Sequence, residues 1–113
     1  MAVMTLAQPP DLRLALPLDH VAAICGKYRV SQLAVFGSAL RDDFGPQSDI
    51  DFLVRFHDND AGPWMSKFMD MEQELAALLR RNVDLVDWNG IEQSENPYRK
   101  RRILRSARMV YAD

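Results

Sequence analysis

Residues 35–54 read V-F-G-S-A-L-R-D-D-F-G-P-Q-S-D-I-D-F-L-V. An apolar run, Leu33 to Phe36, stops at Gly37-Ser38, and a second, Ile50 to Val54, begins beside the carboxylates Asp49 and Asp51. Strands are expected near 33–36 and 49–55, with a polar turn between them. Side chains two apart on a strand share a face and lie roughly 6 to 7 Å apart, so Asp49 and Asp51 are expected to converge on one site. Two like charges on one face repel, and a cation between them relieves the repulsion. Carboxylate oxygens suit Mg²⁺ or Mn²⁺, which fill their remaining coordination with water and substrate phosphates. Gly37 lets the backbone approach a bulky anion, while the Ser38 hydroxyl and the N–H groups after it can bind phosphate oxygens.

Either half of this pattern alone says little, because paired acids can sit solvated at a strand edge and Gly-Ser marks many turns. Its specificity comes from the two in this order, each tied to its own apolar run. Residues 39–43 are expected to form a helical turn that presents N–H groups to phosphates and ends at Phe44-Gly45-Pro46. Arg41 has two readings of equal standing: a cation approaching a triphosphate, or a partner for Asp42 or Asp43.

Upstream, residues 1–17 carry Pro9, Pro10 and Pro17 and are expected to be a loosely ordered leader, packing as a strand or turn. Residues 18–113 then form one domain. Leu18, Val21, Ala22 and Ile24 fit a short amphipathic helix to Lys27, with Asp19 favouring its dipole. His20, without a partner histidine or motif, is read as a surface residue. Downstream, residues 57–63 are a loop by composition. Trp64, Phe68, Met71, Leu75 and Leu78 recur at helical spacing, with Lys67, Asp70, Gln73, Glu74 and Arg81 opposite; this stripe is read as core. Asn82 to Trp88 is a β-branched, apolar run holding Asp84 and Asp87. A carboxylate in a buried strand needs a partner or a metal, so a third metal-binding acid is sought here. Asn96-Pro97 marks a helix start, and the helix runs to Ser106 with Ile103 and Leu104 inward. Met109-Val110-Tyr111 adds a short final strand.

At 113 residues the chain suits one core, without room for a separate substrate domain. The net charge of −2 argues against general nucleic-acid binding. Cys25 is the sole cysteine, which excludes an intramolecular disulfide and a cysteine-based zinc site; its apolar neighbours indicate a buried structural thiol. No apolar run reaches membrane-span length and the N-terminus lacks a basic start, so a cytoplasmic location is expected, with no membrane contact. Six of the 14 basic residues lie within positions 99–108. That cluster either solvates a helix face or grips an acidic partner or RNA. The architecture expected is α/β: a small mixed sheet with packed helices, the long helix crossing over between strands.

The pattern G-S-x10-D-x-D, with Arg41 three residues after Ser38 and Ser48 directly before the first acid, resembles the signature of the polymerase-β-like nucleotidyltransferase superfamily. At this length the chain most resembles its minimal nucleotidyltransferase (MNT) domains, many of which are antitoxins paired with HEPN-domain ribonucleases. The resemblance covers residues 19–111. It implies the strand order, and makes Asp84, in V-D-L-V, the third metal-binding acid and the base for the attacking hydroxyl, with Asp87 as second choice. It further implies two Mg²⁺ ions about 4 Å apart, held by Asp49, Asp51 and Asp84. The resemblance also implies ATP as the nucleotide substrate, gripped through Gly37, Ser38, Arg41 and Ser48. The implied reaction is AMP transfer to a hydroxyl, a tyrosine of a HEPN toxin, within a hetero-oligomer. Many relatives carry Gly where Asp42 stands, at a position that is not a usual ligand. Two other readings compete: a contact-only antitoxin acting through the basic C-terminal helix with a vestigial metal site, and a nucleotidyltransferase for a small molecule such as an antibiotic.

Overall fold

The computed structural model describes residues 5–10, 12–41, 44–57 and 66–113. Five strands form one mixed sheet: β1 (Thr5–Leu6), β2 (Val30–Phe36), β3 (Ile50–Phe56), β4 (Val83–Asp87) and β5 (Arg108–Ala112), in spatial order β1-β5-β2-β3-β4. Only β3 and β4 run parallel. Parallel neighbours need a crossover, and α2 (Ser66–Leu79) provides it. The other helices among the described residues are α1 (Leu18–Lys27), α3 (Trp88–Glu92) and α4 (Pro97–Ser106), and a 3₁₀ turn spans Gly37–Leu40.

Strand alternation sorts the apolar residues into two layers. Leu33 and Val35 of β2, with Phe52 and Val54 of β3, pack with Val21 and Cys25 of α1 and with Phe68, Met71 and Leu75 of α2. Ala34 and Leu53 point the opposite way and pack with Ile91 of α3 and Ile103 of α4. Both faces of the central strands are therefore covered, which is why β2 and β3 read as nearly continuous apolar runs. Lys27, at the end of α1, pairs with Glu74 of α2 at 3.0 Å and joins the two helices.

Most of the expected elements are present, and four details differ. The strand expected to reach Trp88, β4, ends at Asp87, and Trp88 opens α3, a helix that no periodicity marks because it is only five residues long. Arg81, expected on the solvent face of the long helix, is half-buried and donates from Nη1 to the carbonyls of Gly45 and Ser48 at 3.1 and 3.0 Å. Its guanidinium also stacks on Phe44 at 4.5 Å. Third, the described part of the stretch expected as a leader packs on the body: β1 pairs with β5, Leu12 and Leu16 are buried, and Arg13 N donates to Ala39 O at 2.9 Å. The reason is non-local, since the free edge of β5 and an apolar surface beside α1 are there to be covered. Fourth, the helical turn expected over 39–43 is realised two residues earlier, at Gly37–Leu40. Asp42, Asp43 and residues 58–65, Trp64 among them, lie outside the described residues.

Candidate active site

The two ends of the decisive stretch meet at the end of β2. Gly37 adopts φ +75°, a left-handed conformation that costs any residue with a Cβ about 1 to 2 kcal/mol. A Cβ there would also lie 2.5 Å from Asp51 Oδ2, so both the conformation and the close approach require glycine. The Ser38 hydroxyl donates to the Asp49 carbonyl at 2.7 Å and pins the turn to the start of β3. The Ser38 N–H donates to the Asp51 carboxylate.

Sheet register supplies the second acid. Asp51 stands opposite Phe36 on β2 and beside Asp84 on β4. Asp51 shares a face with Leu53, and Asp84 with Val86, so both carboxylates belong to the face that α3 and α4 cover. Asp51 is half-buried, and its carboxyl is held above the usual range, first by desolvation and then by the charge of Asp84; the Ser38 N–H opposes the shift.

These residues line one cavity of about 640 Å³, with Phe36, Gly37, Ser38, Leu40, Arg41, Asp51, Asp84 and Val86 on the sheet side. Its other wall is α4, through Arg99, Arg102, Ile103 and Ser106, together with Arg108 at the start of β5. The size is that of a small-molecule or nucleotide pocket. Of the seven candidates read from sequence, Gly37, Ser38, Arg41, Asp51 and Asp84 come together here. Asp49 does not line this cavity; it borders an adjacent depression with Glu72, Asn82 and Asp84. The Ser48 hydroxyl accepts from Gly45 N at 3.0 Å and closes the turn before β3, away from the cavity lining. Asp87, the second choice for the third acid, caps α3 by accepting from Asn89 N.

Asp51 and Asp84 present hard oxygen donors side by side, with negative charge that a divalent cation would relieve. Among the described residues, no three acid, histidine or cysteine side chains are close enough to enclose a metal.

The arginines of the α4 wall are what the sequence reading missed as site residues. Their signal was the basic run at 99–108, but its division between two helix faces needs the packing of α4. Arg81 escaped notice in the same way: it holds the Gly45–Ser48 turn, and through it the approach to Asp49.

A sequence model of the nucleotidyltransferase domain matches residues 19–110. The protein adenylyltransferase MntA of Thermococcus cleftensis is 35% identical over 86 residues, covering 76% of this chain and 80% of that protein. A toxin–antitoxin structure with AMP-PNP superposes with a TM-score of 0.64 at 19% identity, covering 87% of this chain and 75% of that one. A structure of a tri-AMPylated Shewanella oneidensis HEPN toxin in complex with its MNT antitoxin gives 0.57 at 20% identity, over 84% and 69%. At those identities the two structures show a shared fold.

Proposed function

This chain belongs to the nucleotidyltransferase domain family, and we propose that it is a protein adenylyltransferase that moves AMP from ATP to a tyrosine hydroxyl of a HEPN-domain toxin, silencing it. The observation that carries the reading is the close packing of the Gly37-Ser38 turn on Asp51, with Asp84 beside it, in a cavity of nucleotide size. The named relative supports protein-directed transfer, and the two toxin–antitoxin structures of like fold supply the nucleotide and the partner class.

The acceptor oxygen attacks the α-phosphorus of ATP, the bond from that phosphorus to the pyrophosphate oxygen breaks in line, and AMP remains esterified to the acceptor. Asp84, exposed on the cavity wall, takes the hydroxyl proton. Asp51 and Asp84, with Asp49 from the adjacent rim, would hold Mg²⁺, which supplies charge neutralisation on the phosphates and the acceptor oxygen. The turn at Gly37-Ser38 receives the β and γ phosphates, and Arg41 lies on the same wall. Catalysis of this kind is mostly positioning and electrostatics.

The test is intact-mass spectrometry of the cognate toxin after incubation with this protein, ATP and Mg²⁺, beside an Asp49→Asn, Asp51→Asn control. The expected result is a mass gain of one or more AMP groups that the control lacks. An unmodified toxin that is nevertheless bound and inhibited would overturn the proposal in favour of neutralisation by contact.

A further inference from the structure

The basic run at 99–108 is divided by α4 into two faces. Arg99, Arg102, Ile103 and Ser106 follow helical i, i+3, i+4, i+7 spacing and look into the cavity, where Arg108 joins them. Lys100, Arg101, Leu104 and Arg105 line a separate shallow groove on the other side of the helix, and Arg102 sits at the rim between the two. Two roles are thus carried by one stretch of sequence.

The cavity has an electrostatic asymmetry. Its sheet wall carries Asp51 and Asp84, and the facing wall carries Arg99, Arg102 and Arg108. Arg108 already donates to the Arg105 and Ala107 carbonyls at 3.1 and 3.2 Å, which fixes its guanidinium at the end of α4. No ion pair joins Arg99 or Arg102 to a carboxylate among the described residues. Their helix is placed firmly, since Ile103 is buried in the sheet and the Asn96 side chain caps the first turn by accepting from Tyr98 N and Arg99 N. Two long cations on a fixed helix therefore face two carboxylates across a cavity. A polyphosphate suits that gap, because its charge can be bridged to the acids by cations on one side and met by guanidinium forks on the other.

We infer that Arg99 and Arg102 bind the triphosphate tail of the nucleotide and hold the pyrophosphate as it leaves. The inference rests on the nucleotidyltransferase reading. Negative charge grows on the leaving pyrophosphate as its bond to the α-phosphorus breaks, and guanidinium donors aimed at that position stabilise the growth.

The test measures AMP-PNP and AMP binding by calorimetry in the presence of Mg²⁺. It compares the parent, Arg99→Gln/Arg102→Gln and the charge-matched control Arg101→Gln/Arg105→Gln, with helix content checked by circular dichroism. The cavity pair is expected to weaken AMP-PNP at least about tenfold, while AMP moves less than about threefold and the control pair less than about twofold. Arg99→Lys/Arg102→Lys should recover part of the loss. AMP-PNP affinity of the cavity pair within about twofold of the parent would overturn the inference and leave the nucleotidyltransferase reading intact. Equal loss for AMP and AMP-PNP would also overturn it, by removing selectivity for the tail. A parent that binds no AMP-PNP would overturn both.

Discussion

Gly37 concentrates the strain and Asp51 the chemistry. Gly37 is confined by its positive φ and by Asp51 Oδ2, so Gly37→Ala is expected to destabilise the protein by about 1 to 3 kcal/mol, read as a lower urea midpoint, and to depress nucleotide binding. Burial and the charge of Asp84 both disfavour the ionised form of Asp51. Asp51→Asn is therefore expected to reduce AMP transfer at least about a hundredfold while leaving the melting temperature unchanged or higher. A folded Asp51→Asn variant with full transfer would remove this carboxylate from the mechanism. Cys25 gives the residue-scale pH test. Burial pushes its thiol from 9.0 up to about 12, so the folded state favours the neutral form. The stability this contributes is whole below pH 9 and is lost as pH rises toward 12. Cys25→Ala should flatten that alkaline decline, and native protein at pH 8 should resist thiol alkylation until it is unfolded.

At the scale of elements, the strand carrying Asp84 is an edge strand, and edges need their amide groups satisfied. Glu72 on α2 does so by accepting from Leu85 N at 2.9 Å, one residue from Asp84. Glu72→Ala leaves that N–H without its partner and is expected to cost about 1 to 2 kcal/mol, with faster amide exchange at Leu85 than in the parent as the measurement. On the other side of the site, Arg55 ties α3 to β3 through Asn89 at 2.9 Å and Glu92 at 2.6 Å, and stacks on Trp88. This arrangement explains a helix that sequence periodicity does not reveal. Its five residues are held by side chains distant in sequence and by the Asp87 cap rather than by an apolar stripe of their own. By contrast, the bounds of α4 were legible, because Asn96 as cap and Pro97 at the first position are local signals.

At the scale of the whole molecule, the site is a seam between layers. Acids come from the central sheet, the phosphate turn from the end of β2, and the basic wall from α4. Binding that joins them should stabilise the fold as a unit: AMP-PNP with Mg²⁺ at about a hundred times its dissociation constant contributes ~2.7 kcal/mol. We expect a rise of several degrees in the melting temperature, absent in Asp51→Asn. The packing of residues 5–10 and 12–16 has a like consequence. Their strand covers the edge of β5, and Arg13 N holds the Ala39 carbonyl within the phosphate turn. Removing residues 1–17 should lower the melting temperature and weaken nucleotide binding together, whereas a detached leader would leave both unchanged.

What the sequence determined by itself was what spacing carries: the strands flanking Gly37-Ser38, the amphipathic faces of α1 and α2, and the cap of α4. These are local because backbone preference and side-chain period act over a few residues. The choice of Asp84 over Asp87 as third acid came with the family resemblance; what the fold adds is parallel register, which sets Asp84 beside Asp51. Tertiary structure also decided that Asp49 stands at the rim, that the Ser48 hydroxyl closes a turn, and that Arg99 and Arg102 look inward while Arg101 and Arg105 look out. Each of those outcomes depends on which surface a distant element covers, and the order of residues along the chain does not contain that information in any short window.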